Sequence, residues 1–161
     1  MKGVSALIGA TIIIVITISA IFIALNSGQP AVDRTREILV MQEGKSIILD
    51  FDNAIKSVLS QGNMSARHLQ FRIIEGFLII DEDNDIISFS MESEAQIIGV
   101  GVSKIEDGIN ITGETGIIYL NLSYTNVDII NSFELGKGNR EVTIRNEGYD
   151  QILEKQTISI T

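Results

Sequence analysis

Between Val4 and Leu25 the chain carries no charge, and its only polar side chains are Ser5, Thr11, Thr17 and Ser19. Few structures are open to such a run. As a helix its twenty-two residues extend ~33 Å at ~1.5 Å per residue, enough to cross the ~30 Å hydrocarbon core of a bilayer. In lipid a lone segment must satisfy its backbone polar groups internally, which only a helix can do. Residues 4–27 are therefore read as a hydrophobic helix, and the chain beyond Pro30 as the body that this helix carries.

The body is acidic. Lys2 is the sole charge before Asp33, while the 161-residue chain has a net charge of −9. No Lys/Arg cluster is present to neutralise phosphates, so no nucleic acid partner is expected. The chain has no Cys, which removes disulfides and Cys-ligated metals. The body is rich in Ile and, beyond Pro30, carries no Pro, a composition that favours pleated surfaces. Arg34 and Arg36 outnumber Lys2 beside the apolar run, which poses the positive-inside rule weakly. The sequons of the body point to export, so the N-terminus is expected to be cytoplasmic and the body external.

Asn26-Ser27-Gly28-Gln29-Pro30 interrupts the apolar pattern, because proline lacks an N–H and clashes with the preceding turn. An amphipathic helix is predicted over 31–62, continuous with the first through a kink or hinged near Gly28–Pro30. Its apolar face is Met41, Gly44, Ile48, Phe51, Ile55, Val58 and Leu59, at steps of three and four. Glu43, Lys45, Asp50, Asn53 and Lys56 lie mostly on the other side, and Gly62 supplies the C-terminal stop.

From residue 66 to 161 the period changes to two. Strand patterns run over Leu69–Ile73, Ile87–Met91, Ile98–Val102, Ile118–Leu122, Val142–Ile144 and Ile158–Ile160. Turn signals stand at Glu75-Gly76, Asp81–Asp85, Glu106–Gly108, Thr112–Gly116, Gly136–Asn139 and Asn146–Gly148. About eight short strands at this spacing predict an antiparallel β-sandwich or small barrel. The fold class is thus α+β, a long N-terminal hydrophobic helix followed by a β-rich domain.

Lys2-Gly3-Val4-Ser5-Ala6-Leu7-Ile8-Gly9, followed by an Ile-rich run, resembles the class III signal peptide and N-terminal helix of archaeal type IV pilins. Ala6 stands where that family's Ser-Pro-x-Ile-Gly pattern has proline. Ile8 stands where bacterial type IV pilins have Glu, which suits the archaeal branch. The resemblance implies a leader of residues 1–3, with cleavage by a class III signal peptidase at Lys2-Gly3-Val4 and Val4 as the mature N-terminus. It implies a precursor held in the membrane, then a homopolymer in an extracellular surface filament used for adhesion. A secretion ATPase and a membrane platform protein would serve its assembly. An archaellum filament, an archaellum-associated protein, and a membrane-anchored surface binding module that does not polymerise are the alternatives.

A plain anchor needs only hydrophobicity, whereas a helix packed among copies needs small surface residues so that backbones can approach. Ser5 with Gly9, Ala6 with Ala10, and Ala20 with Ala24 are small pairs at i, i+4. Moving such a helix from lipid into a bundle gains little hydrophobic free energy. Once packed it is hard to remove, since exposing it to water costs ~25 cal/mol per Å² of apolar surface.

Asn63, Asn110 and Asn121 begin N-glycosylation sequons, and Asn110 and Asn121 lie out of phase with inward-facing Ile and Leu neighbours. Asp81, Asp83 and Asp85 have the spacing of a calcium loop, with Glu92 at the twelfth position. The following glycine is missing and the flanks read as strands, so a solvated hairpin turn is expected rather than a metal site. His68 reads as a surface or turn residue, and Gly99-Val100-Gly101 as a bulge or bend. No catalytic triad, zinc-helix motif or phosphate loop stands out, so neither an enzyme nor a cofactor is expected.

Overall fold

The computed structural model describes the backbone of residues 2–161 and the side chains of these residues except 2–8 and 27. It divides into two compact units, one ending at Arg36 and one running Glu37–Thr161. Helix α1 (Lys2–Gln61) runs through both, with Pro30 inside it. Of the two expectations for residues 28–30, the helix continues. Proline removes one N–H and crowds the carbonyl four residues earlier, a local cost of about 3 kcal/mol, and the flanking turns carry the helix across it.

In the second unit the helix is a core element. Val40, Ile47, Ile48, Phe51, Ala54, Ile55 and Val58 are buried and share one apolar cluster with residues of the β-strands. Met41 and Leu59, placed on the same face from sequence, are half-buried. Ile47 and Ala54 widen the stripe beyond a single i, i+3/i+4 row, as expected where a helix meets apolar surface on more than one side. The compact unit therefore begins well before the β-rich segment 66–161.

Ten strands come next among the described residues: β1 Ala66–Ile73, β2 Phe77–Asp81, β3 Ile86–Glu92, β4 Ser103–Glu106, β5 Ile109–Glu114, β6 Ile117–Ser123, β7 Val127–Ile130, β8 Phe133–Leu135, β9 Gly138–Asp150 and β10 Lys155–Ile160. They form a four-stranded sheet, β1-β9-β10-β7, and a six-stranded sheet, β4-β5-β6-β3-β2-β8. The predicted α+β class forms, and of the expected sandwich or small barrel the β domain takes the form with two separate sheets. Along β3, β5 and β6 the buried side chains, among them Phe89, Ile111, Ile118 and Leu120, face the core in alternation with polar neighbours.

Several local expectations give way. The pairing is not wholly antiparallel, since β7 runs parallel to β10; the intervening chain visits the other sheet as β8 before returning, which makes room for the crossover a parallel pair requires. Ile98–Val102 forms no strand. Gly101 has φ +75° and the Val102 N–H donates to the Gly99 carbonyl at 3.0 Å, so where the sequence suggests a bulge or bend within a strand the glycines close a turn and stop the extended run. A Cβ on Gly113 would lie 2.6 Å from the Gly99 oxygen, which shows how closely this segment crosses β5. The turn expected over Thr112–Gly116 shrinks to the two residues between Glu114 and its partner Ile117.

Asn146–Gly148, read as a turn, lies inside β9. Thr157 faces Gly148 while Ile158 faces Asn146, so Glu147 is the extra residue of a β-bulge. The bulge has a use at the helix terminus. Asn146 is buried, and its Nδ2 donates to the Val58 carbonyl at 3.3 Å while its Oδ1 accepts the Gly148 N–H at 2.9 Å. Ser65 Oγ donates to the same Val58 carbonyl at 2.6 Å, and Gly62 takes the positive φ of a C-terminal stop, +91°. The Val58 carbonyl in the last turn of the helix is thus satisfied from β9 and from the segment just before β1.

Gly44 fixes how closely the helix approaches β3. A Cβ there would sit 2.3 Å from Phe89 Cδ1, and Phe89 is fully buried with no space to retreat. Overpacking of this kind costs about 1–3 kcal/mol. Gly44→Val should therefore lower the denaturant midpoint of the full chain in detergent micelles, and Phe89→Leu added to it should restore part of the loss. An unchanged midpoint for Gly44→Val would show that the helix does not lie on this ring.

Candidate functional site

The segment of α1 before Glu37 is exposed almost throughout. Every described side chain from Ala10 to Val32 is exposed, and the large ones from Ile12 to Leu25 show between 53% and 67% of their surface. Water does not tolerate a contiguous apolar face of this size, which marks a membrane or protein interaction surface. Among the described residues one helix is long and apolar enough to cross a membrane. The Thr17 hydroxyl is compatible with lipid, since its Oγ1 donates back to the Ile13 carbonyl at 2.8 Å and needs no water.

Of the small residues singled out from sequence, Ala10, Ala20 and Ala24 are exposed and Gly9 is half-exposed. A Cβ on Gly9 would meet nothing within 4 Å. The side chains of Lys2, Val4, Ser5 and Ala6, and Gly3 at the expected cleavage site, lie outside the described residues.

The β domain takes hold of the helix at Glu37. This carboxylate is buried, its Oε2 accepting the Ser93 hydroxyl at 2.7 Å and its Oε1 the Ala95 N–H at 2.7 Å. Two turns on, Lys45 Nζ lies 2.8 Å from Glu106 Oε1 and 2.6 Å from Asp107 Oδ2. These acids stand at the β4–β5 hairpin, where Asp107 and Gly108 both have positive φ, the conformation that an Asp-Gly pair adopts in a two-residue hairpin turn. At the far end Tyr124 donates its hydroxyl to Asp52 at 3.3 Å. Neither Glu37 nor Asp52 was singled out from sequence, because their partners are remote along the chain.

The acidic hairpin turn resolves into two structural roles. Asp81 Oδ1 accepts the N–H groups of Asp83 and Asn84 at 3.0 and 3.2 Å, and Oδ2 accepts Asn84 Nδ2 at 2.8 Å. Asp85 is buried and turns away from the tip: its oxygens accept the Ile129 N–H at 2.9 Å and Lys155 Nζ at 2.5 Å. It therefore joins the β2–β3 turn of one sheet to β7 and β10 of the other. Asp81, Asp83 and Asp85 do not converge, and among the described residues no group of three or more His, Cys, Asp or Glu side chains could hold a metal ion.

Asn63 and Asn110 are exposed and Asn121 is half-buried. Asn110 pairs directly with Asn121 across β5 and β6, and their Oδ1 atoms accept the hydroxyls of Ser103 and Ser88, each at 2.5 Å. Directly paired residues have Cβ atoms about 5 Å apart, so glycans on both would share one patch of surface. His68 is exposed on β1, with its Nδ1 3.0 Å from the Thr143 hydroxyl.

No family model, no curated protein and no solved structure matches this chain.

The clamp on the helix carries its own pH signature. Hydrogen bonds from Lys45 and then Lys104 hold the Glu106 carboxyl at about 2, and the bonds to Asp107 and Glu106 push the Lys45 ammonium up. Glu43 is shifted the other way: burial raises it, opposed by a backbone hydrogen bond at Ile74 and by the Arg72 charge, and its Oε2 is buried with no hydrogen-bond partner among the described residues. A depressed carboxylate contributes stability above its unfolded value that is lost as pH falls; a raised one contributes stability at low pH that is lost as pH rises. Glu106→Gln should thus be less stable than the parent at neutral pH and converge with it as pH falls from about 4.5 to about 2. Glu43→Gln should match the parent in acid and exceed it above about 4.5. Denaturant midpoints measured across this range would show the two curves departing in opposite directions, and parallel curves would contradict the assignment.

Proposed function

We propose that the chain is a structural subunit of an archaeal type IV pilus-like surface filament. On this reading residues 4–27 pack with their counterparts in the filament core, and the β domain forms the outer sheath. The observation that carries the reading is the apolar surface between Ile12 and Leu25, exposed on the single chain. The resemblance of Lys2–Gly9 to the class III leader, and the small pairs ending in Gly9, Ala10 and Ala24, favour a polymerisation helix over a plain anchor. The precursor would sit in the membrane by the same helix, and adhesion is the use that fits an external sheath. The sequons at Asn63, Asn110 and Asn121 would place glycans on the sheath. Catalysis plays no part in this role.

Membrane anchoring alone needs a long apolar helix and nothing more; self-assembly is what separates the two. Intact and N-terminal peptide mass spectrometry on material sheared from cells, with electron microscopy of the same fraction, decides between them. A mature chain that begins at Val4 and lies in filaments is the expected result. A chain that begins at Met1 and stays in membranes would overturn the filament reading. Gly3→Val should accumulate the uncut precursor in the membrane.

Gly9→Leu should abolish filaments while leaving the β domain folded. The added side chain has open space in the single chain, so only the approach of another helix is obstructed. Filaments of normal number from this variant would remove Gly9 from the packing surface.

A further inference from the structure

Strand β9 connects two surfaces of opposite character. At its C-terminal end the β9–β10 hairpin presents Ile152, 92% exposed, and Leu153, 51% exposed. These two are held rather than loose: Asp150 Oδ1 accepts the N–H of Ile152 at 2.7 Å and of Leu153 at 3.1 Å. Glu154, at φ +54°, completes the turn. The flanking charges are Asp150 and Glu154, because the nearest cation in sequence, Lys155, is engaged by Asp85 at 2.5 Å.

At the N-terminal end of β9 lies an open cleft of about 550 Å³ lined by Phe71, Arg72, Asn139, Arg140 and their neighbours Gln70 and Glu141. Arg140 is fixed by donating from Nε to the Gly136 carbonyl at 2.9 Å and from Nη2 to the Lys137 carbonyl at 3.1 Å. Phe77, 49% exposed, stands beside Gly136, whose Cβ would come within 3.3 Å of the ring. Ile74, 53% exposed, follows Arg72 by two residues and Lys137 follows Gly136, so exposed apolar groups and a further cation stand near the cleft in the chain.

We propose that the Ile152–Leu153 tip of one copy docks in the Arg72–Arg140 cleft of the next. The ends match in chemistry: an apolar pair flanked by the carboxylates of Asp150 and Glu154 meets a cleft in which Phe71 is flanked by Arg72 and Arg140, two cations against the single carboxylate of Glu141. With a net charge of −9 copies of this chain repel one another, so a contact that pairs the tip's acids with the cleft's cations is the one that self-association can use. The geometry is head-to-tail, because the thirteen residues of β9 separate the two surfaces by about 40 Å at ~3.3 Å per residue. A heterologous contact of this kind repeats without closing unless its rotation forms a ring. Two apolar side chains bury too little surface to hold a dimer alone, so the contact rests on the filament reading, in which the helices supply the main attachment.

The absence of Cys from the chain allows a direct test. Ile152 and Asn139 are exposed, so Ile152→Cys and Asn139→Cys leave the fold intact. Cysteines at the two ends of β9 are far beyond the ~7 Å Cα separation that a disulfide spans, so any bond joins two copies. Mild oxidation of cells making the full-length double variant should give a ladder of oligomers, with each single variant remaining monomeric. Lys137→Glu added to the pair should reduce the ladder several-fold, and Glu154→Lys added to that should restore it, since opposed charges steer association and like charges suppress it.

Filaments with no ladder would overturn the docking and leave the filament reading standing. A ladder in membranes without filaments would keep the contact and remove the filament. Absence of both would remove both. Dimers from Ile152→Cys alone would mean a tip-to-tip contact and would also overturn the proposal.

Discussion

One helix is buried over one part of its length and exposed over the other. From Glu37 onward its apolar stripe fills the core of a β domain, with Phe51, Ile48 and Ile55 fully buried. Before Glu37 the apolar side chains are exposed on the chain itself. A continuous α-helix satisfies its own backbone hydrogen bonds in either surrounding, in lipid or in protein. That property lets a single element run from the exposed part to the buried one with Pro30 inside it, and the rest of the structure depends on how the β domain grips its part.

The grip is apolar in bulk and polar at its ends. Gly44 lets the helix lie on Phe89, and Phe51 meets Phe71 edge-on with ring centroids 5.4 Å apart. Buried polar groups then fix the register, since each is costly to leave unpaired. Glu37 is satisfied by Ser93 and Ala95 where the helix enters, and Asn146 meets the Val58 carbonyl where it ends. Asp85 does for the two sheets what these do for the helix. With no Cys in the chain, such contacts are what keep the body from loosening between its layers.

The long elements were legible in the sequence because their signals are local. The uncharged run, the three-and-four spacing from Met41 to Leu59, and the Asp107-Gly108 hairpin can each be read within a few residues. The alternation of Ile98, Val100 and Val102 misled because its intervening residues are glycines, which weaken a strand as readily as they mark its exposed face. Asn146-Glu147-Gly148 has turn composition but serves as a bulge, a distinction that depends on the opposite strand. The parallel pairing of β7 with β10 and the roles of Glu37 and Asp85 rest on partners tens of residues away, for which one sequence holds no local trace. The exposed Ile152-Leu153 pair lies in the turn between β9 and β10, for which the sequence offers no signal because its turn composition stands at Asn146–Gly148 instead.

The helix divides at Glu37: one part belongs to the core of the β domain, and the other presents exposed apolar side chains. Two truncated chains test this division directly, one of residues 31–161 and one of residues 66–161, each followed by amide hydrogen exchange and denaturant unfolding. The longer chain is expected to be soluble and to unfold in one cooperative step with residues 40–59 protected. The shorter chain, deprived of the seven buried helix residues from Val40 to Val58, is expected not to fold. A shorter chain that folds with the same stability would show that the helix is an appendage of the β domain rather than part of its core, and would contradict the division.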